Sequence, residues 1–378
     1  MASSADWART IGTTLVLHLK EEELATFRKY KLFALLEGSG RVSMNQGGRG
    51  FDWEVRYKNQ PVTSNSGESA RVFARHNLWQ RANLPYRGYS VTDMVTKREM
   101  LENRGVSQLI DIAGKMASRL QESMQEQLGQ EIYVDGNLPG NENRWHGLES
   151  IFGFDGTINI ADGKKRAANA ADPFAYPLDT YAGLSTELGA LGGAQRAAGS
   201  WPYVPCDSEY DYYSPLIVNY TSTYFNGKDA AGGAQNNWKY QCIEAIREGV
   251  QHAKRNDTKE SQIDLILLNR KLYIDFLNRL DSRERAIVTK SAGLRSYGFG
   301  DVVELDGIEV STEYAVPTDV GYALSVGNME MKCMEGQLMT GEGPYYNEEL
   351  QAHRYAVSNL ANLKFKSPRN FVKFAAVA

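Results

Sequence analysis

Three acidic residues alternate along one stretch of the chain, Asp207, Glu209 and Asp211. On a strand that spacing puts all three carboxylates on one face, where they could hold a hard cation, although such a row is more often a solvated edge. The five histidines, His18, His76, His146, His252 and His353, are scattered, and each reads as a surface or satisfied polar residue rather than a base. Trp145-His146-Gly147 is the one locally unusual setting among them. Cys206, Cys242 and Cys333 are odd in number, far apart and without a CxxC pair. That excludes a disulfide framework, and all three read as buried small hydrophobes. Asn219-Tyr-Thr221 and Asn256-Asp-Thr258 fit the glycosylation pattern but mean nothing without a secretory route.

The motif search nominates no chemistry. The chain has no GxxxxGK[ST], HExxH or GxSxG pattern and no EF-hand loop. The glycines at 38, 40, 47, 48 and 50 do not fit GxGxxG, and the segment after them reads as a strand, not a phosphate-cradling helix. Carboxylates are abundant enough for an acid/base pair, but no spacing singles one out. The expectation is therefore no catalytic residue, no cofactor-binding residue, no metal ligand and no cofactor, in a protein that is not an enzyme.

The elements that would have to position any site are clearer. With 378 residues, 42% hydrophobic and 23% charged, the chain can bury a sizeable core. A helix is expected over 20–36, with Glu21, Glu22 and Glu23 at its positive end and Gly38 as its stop. Around the glycine-rich centre Gly47-Gly48, the alternation of Phe51, Trp53, Val55 and Tyr57, and later Val72 and Phe73, reads as a long projecting β-hairpin. Leu109, Ala113, Met116, Leu120, Met124 and Leu128 form one apolar stripe of a long helix capped by Ser107, with Gly129 near its end. Residues 135–235, dense in Gly, Ala, Asn, Pro and Tyr, read as loops and short strands. Then come a helix carrying Trp238, Cys242, Ile246, Val250 and Ala253, a buried strand at Ile263-Asp-Leu-Ile-Leu-Leu, and a second helix opening at Asn269. Asp306-Gly307 between Val302-Val-Glu-Leu and Ile308-Glu-Val is a hairpin turn, because both positions tolerate positive φ. Two late strands carry Met329, Met331 and Cys333, then Tyr355, Val357, Leu363 and Phe365, with Pro368 ending the last.

Charge is segregated while the net is only −4, which argues against a protein built mainly to grip nucleic acid. Residues 299–349 hold eleven acids and one base, Lys332; residues 71–104 hold seven bases and three acids; from Arg354 onward there are five bases and no acid. These stretches read either as solvated faces or as patches that meet across subunits. No stretch approaches the ~20 apolar residues of a membrane span. Met1-Ala-Ser-Ser-Ala-Asp shows no secretory signal, so a soluble, cytoplasmically made protein is expected.

Taken in order, these features resemble the major capsid proteins of tailed bacteriophages. Leu84-Pro-Tyr-Arg-Gly-Tyr-Ser-Val-Thr-Asp-Met-Val-Thr-Lys-Arg-Glu-Met is similar to that family's junction between extended loop and spine helix. Ile132-Tyr-Val-Asp-Gly-Asn followed by Trp145-His-Gly-Leu-Glu-Ser-Ile-Phe resembles the segment after the spine helix. Asn362-Leu-Lys-Phe-Lys-Ser-Pro-Arg-Asn-Phe-Val-Lys resembles the last long strand and the turn after it. The resemblance runs over nearly the whole chain.

It implies an α+β fold: an N-terminal arm at 1–37, an extended hairpin loop at 38–92, and a peripheral domain with the spine helix at 93–150. A mixed α/β axial domain would occupy 151–325, peripheral long strands 326–366, and a C-terminal return to the axial domain 367–378. It further implies self-assembly through hexamers and pentamers into an icosahedral shell. That shell would enclose double-stranded DNA without sequence-specific binding, in a virion whose subunits are made in the host cytoplasm. The implied partners are other copies, a separate scaffold protein, a portal and a decoration protein, with no membrane. Twenty-one tyrosines suit such interfaces. An encapsulin-type compartment shell is the alternative on the same fold, and a polysaccharide hydrolase, suggested by Trp, Tyr and carboxylate abundance, is the alternative of another class.

Overall fold

Among the described residues the stripes and alternations become six α-helices and seventeen strands in a computed structural model. It describes residues 30–64, 67, 73–102, 106–153, 165–166, 172–228, 232–254, 262–280, 294, 300 and 302–376. The helices are α1 Lys31–Gly38, α2 Lys97–Glu102, α3 Val106–Glu131, α4 Glu149–Phe152, α5 Trp238–Ala253 and α6 Arg270–Arg279. The strands begin with β1 Val42–Gln46, β2 Gly50–Arg56, β3 Trp79–Pro85, β4 Arg87–Thr96, β5 Lys165–Arg166, β6 Phe174–Pro177, β7 Thr180–Tyr181, β8 Leu184–Ser185 and β9 Leu216–Asn219. They continue with β10 Leu265–Leu268, β11 Val302–Leu305, β12 Ile308–Thr312, β13 Gly321–Leu324, β14 Met329–Met334, β15 Thr340–Asn347, β16 Ala352–Phe365 and β17 Val372–Ala375.

Two sheets carry the molecule. The eight-stranded one has the order β11-β12-β10-β13-β17-β9-β6-β5. Its strands are short, and β9, β10, β13 and β17 are buried on both faces, as continuous apolar runs require. Alternate residues divide between two cores: Leu265, Leu267 and Tyr322 enter one, while Ile266, Leu268 and Ala323 enter the other with the apolar faces of α5 and α6. Asn269 caps α6 by accepting from the Lys271 amide at 3.1 Å. Asp306 and Gly307 take the expected positive φ, 51° and 84°, and close β11 onto β12.

The five-stranded sheet is built on β16, fourteen residues long, whose residues 355, 357, 359, 361, 363 and 365 are all buried. Along it β14 and then β15 pair on one side and β4 on the other, while β1 joins β14 in parallel. Helix α3, 26 residues and roughly 39 Å at ~1.5 Å per residue, packs on β4. Its Met116, Leu120, Met124 and Leu128 are buried; Ser107, Leu109 and Ala113 contribute helical backbone, their side chains lying outside the described part.

Gly129 lies near the end of α3, which runs to Glu131. Its missing side chain admits Tyr30, since a Cβ there would lie 2.1 Å from the Tyr30 ring. Two expectations change. The hairpin exists, but its arms are β2 and β3, with Gly47-Gly48 lying before it and Phe73 within the long connection; Val72 lies outside the described residues. Its root is packed, not free, because Phe51, Ala82 and Leu84 are buried and the Asn83 amide donates to the Ala182 carbonyl at 3.0 Å. Strand β1 and the first part of β4, which fall in the span 38–92 expected as a loop, belong to the five-stranded sheet. Of the helix expected over 20–36, residues 20–29 lie outside the described part, as do His18, Asn256 and Thr258.

Candidate functional site

The acidic row is dismantled by the backbone. Residues 207–213 run through turns and bends, so Asp207, Glu209 and Asp211 share no strand face. Each meets its own cation: Asp207 pairs with Arg196 at 2.9 Å, Glu209 with Lys58 at 3.3 Å and Asp211 with Arg369 at 3.6 Å. The hydrogen bond from Arg196 holds the Asp207 carboxyl below its ordinary range. Among the described residues no group of three or more His, Cys, Asp or Glu is arranged to hold a metal ion. The three pairs line a cleft of about 840 Å³ between the start of the hairpin connection, Lys58–Val62, and the segment Trp201–Asp211.

The histidines are likewise separate. His146 is buried between the segment after α3 and β16, and its Nδ1 lies 2.9 Å from Asn362 Nδ2, which also donates to the Pro85 carbonyl at 2.8 Å. Burial first, and the Arg87 charge second, push its imidazole down to about 4, so it is neutral at pH 7. It is a structural joint. His252 lies 3.2 Å from Glu248 and packs edge-on against Phe174 and Tyr203, His353 packs against Tyr346, and His76 is exposed in the hairpin connection. Cys242 and Cys333 are buried as expected, whereas Cys206 is only half-buried.

Three buried polar joints were not singled out by sequence. Glu149 of α4 receives the Tyr322 hydroxyl on one oxygen and the Lys373 ammonium, at 2.5 Å, on the other, tying α4 to two strands of the eight-stranded sheet. Lys373 is fully buried and contributes nothing to the basic surface it was counted in. Glu131 at the end of α3 accepts from Arg144 at 2.8 Å, Gln127 at 2.6 Å and Tyr89 at 2.6 Å. Glu313, just past β12, accepts from Tyr133 at 2.8 Å. A lone charged residue inside an apolar run, such as Phe371-Val-Lys-Phe374, is the signal that could have found the first.

The charge segregation is partly spent within the chain. Glu330 on β14 lies 2.8 Å from Lys366, 3.2 Å from Lys332, 3.6 Å from Lys364 and 3.7 Å from Arg41. Its burial opposes ionisation, but these cations outweigh that and hold its carboxyl at about 2. Asp306 pairs with Arg247 and Asp319 with Lys271.

What the geometry offers for function is therefore surface. The hairpin connection exposes Val62 and Phe73 at 96% and 91%, and Trp79 is half-exposed where β3 begins. At the far end of the five-stranded sheet Tyr345, Tyr346 and Leu350 are exposed around the β15–β16 turn. Large apolar side chains exposed on these two connections suit contacts with other chains. Among the described residues no helix is long and apolar enough to cross a membrane.

No protein-family model matches the chain, and no curated protein does. Solved structures do. A chain of the Cyanophage A-1(L) capsid asymmetric unit is 15% identical with a TM-score of 0.54, covering 92% of this chain and 94% of that one. A chain of the capsid of an empty GTA particle is 13% identical with a TM-score of 0.51, covering 91% and 90%. The fold is the α+β fold of tailed-phage capsid subunits, as the sequence resemblance implied.

Proposed function

We propose that this chain is a major capsid protein that self-assembles into the icosahedral shell enclosing the double-stranded DNA genome of a tailed bacteriophage. The observation that carries the reading is a likeness end to end. More than nine-tenths of the chain follows a capsid subunit over more than nine-tenths of that subunit's own length, leaving no room for an added catalytic domain in the matched part. The surface supports it. A hairpin with a packed root and an exposed apolar connection enlarges contact area without enlarging the core, which is what a subunit meeting many copies of itself needs.

Within this reading the hairpin 50–85 is the extended loop, α3 the spine helix, the five-stranded sheet the peripheral domain and the eight-stranded sheet the axial domain. The subunits form hexamers and pentamers with a separate scaffold protein, a portal and a decoration protein as partners, and enclose DNA without sequence-specific binding. The protein is non-enzymatic and belongs to the virion. The carboxylates of the cleft, each held by a cation, speak against the hydrolase alternative, which needs one carboxyl kept protonated and a second free to attack or activate water.

The test is electron microscopy of shells formed by the full chain with a candidate scaffold, followed by analysis of what the virion shells contain. Closed shells holding DNA are expected. Shells holding enzyme cargo and no genome would move the chain to the compartment alternative, and glycan turnover by the pure protein would move it to the hydrolase.

A further inference from the structure

We propose that the basic cluster gathered around Glu330, where the start of β1 meets β14 and the end of β16, is a binding site for a phosphate group. Four cations share one carboxylate there: Lys366 lies 2.8 Å from it, Lys332 3.2 Å, Lys364 3.6 Å and Arg41 3.7 Å. Among the described residues none of the four has a second carboxylate within 4.0 Å, which leaves a surplus of three positive charges. By contrast, Asp207, Glu209, Asp211, Asp306 and Asp319 each meet a single cation.

The sheet holds this surplus in place. Glu330 and Lys364 are directly opposed on β14 and β16, the Met331 amide donates to the Arg41 carbonyl at 2.9 Å, and the Lys366 amide donates to the Asn328 carbonyl at 2.9 Å. The alternate residues Met329, Met331, Leu363 and Phe365 are buried on the core face, so the charged side chains lie together on the other. Lys332 and Lys364 are not ordinary surface lysines. Their side chains are only 16% and 12% exposed, so water and salt screen their mutual repulsion poorly. Lys364 stands outside hydrogen-bond length of the carboxylate and lies over the Trp53 ring of β2 at 5.0 Å. Burial, joined by the charges of Lys332 and Lys366, lowers its ammonium despite the pull of Glu330. Lys366 and Arg41, at 38% and 32%, leave the cluster open to solvent.

A phosphate group fits these demands. It brings up to about two negative charges and several acceptor oxygens in one compact tetrahedron, which ammonium groups meet as point charges and a guanidinium as a fork. A further carboxylate would cancel only one charge of the surplus. Inorganic phosphate and a nucleic-acid backbone share this chemistry.

A phosphorus NMR titration of inorganic phosphate against the full, unassembled chain, at about pH 7.5 and constant ionic strength, reads the site directly. Saturable binding of one phosphate per chain is expected. Lys364→Gln and Lys366→Gln should each weaken it on the order of tenfold, the loss of one charge-assisted contact. Lys271→Gln, which breaks a one-to-one pair elsewhere, should leave it unchanged. Glu330→Gln should tighten it, because the competing anion is gone. Should Lys364→Gln fail to fold, Arg41→Gln carries the same expectation at a more exposed position. A short DNA duplex added to the phosphate-loaded chain separates the sources: displacement assigns the site to a phosphodiester backbone, and retained phosphate assigns it to the free group. No saturable binding, binding unmoved by the lysine and arginine variants, or weaker binding in Glu330→Gln overturns the proposal. The site belongs to the single chain and does not depend on the shell reading.

Discussion

In the eight-stranded sheet, β9, β10 and β13 bury every residue they contain, whereas the hairpin buries its root at Phe51 and Leu84 and exposes residues 59–64 and 73–77 of its connection. The first region is stable because it is covered on both faces by its own chain. The second is half-built. On the shell reading its exposed apolar residues meet neighbouring copies, so that one region serves folding and the other association. Each substitution below should move one property and leave the other.

The largest effect is expected in the core. Leu120→Asp places a charge without a partner in the buried stripe of α3, a cost of several kcal/mol against a total stability of ~5–15 kcal/mol. Circular dichroism should show no cooperative melting. Next comes the buried joint between α4 and the sheet. Glu149→Gln or Lys373→Met alone leaves its partner's charge buried and should cost ~3–5 kcal/mol, while the double substitution should recover most of it. Urea denaturation of the three variants checks this, and additive losses would mean that the two groups do not act as a pair.

The hairpin supplies the sharpest contrast. Phe51→Ala at the root should cost about 3 kcal/mol. Phe73→Ala, in the connection, should stay within ~0.5 kcal/mol of the parent yet slow shell formation seen by light scattering. A smaller effect is expected at Glu330. Its carboxyl is lowered, so its pairing with the lysines stabilises the fold above pH 4.5 and is lost as pH falls toward about 2. Because the cluster is partly screened by solvent, the contribution is about 1 kcal/mol, and Glu330→Gln should flatten the change in melting temperature between pH 5 and pH 2 by a corresponding amount.

Elements with a local cause were legible in the sequence. The stripe from Trp238 to Ala253 and the Asp306-Gly307 turn each depend on residues within one or two turns of chain and formed as read, and the strand read at 263–268 formed over Leu265–Leu268. The hairpin's second arm was not legible, because the strand after Trp79 pairs with β2 across more than twenty residues that carry their own apolar decoys, among them Phe73. The acidic row failed for a related reason. Alternation signals a strand only where the backbone can extend, and the segment around Ser208 turns instead. Lys373 was misplaced because sequence charge says nothing about a partner 224 positions away. Gly129 lies near the end of α3 as read, but its packing role was not legible because it is set by Tyr30, nearly a hundred residues upstream.

The most direct test of the shell reading removes the exposed part of the hairpin and leaves everything else. Residues 59–76 can be replaced by a short Gly-Ser linker, which spares the paired strands β2 and β3 and the Lys58–Glu209 ion pair. Full-length and shortened chains are then expressed with the candidate scaffold and compared by negative-stain microscopy, with melting temperature as the control for folding. The full chain should give closed shells, and the shortened chain should melt as the parent does and give none. Closed shells from the shortened chain, or a full chain that stays monomeric with its scaffold, would contradict the account.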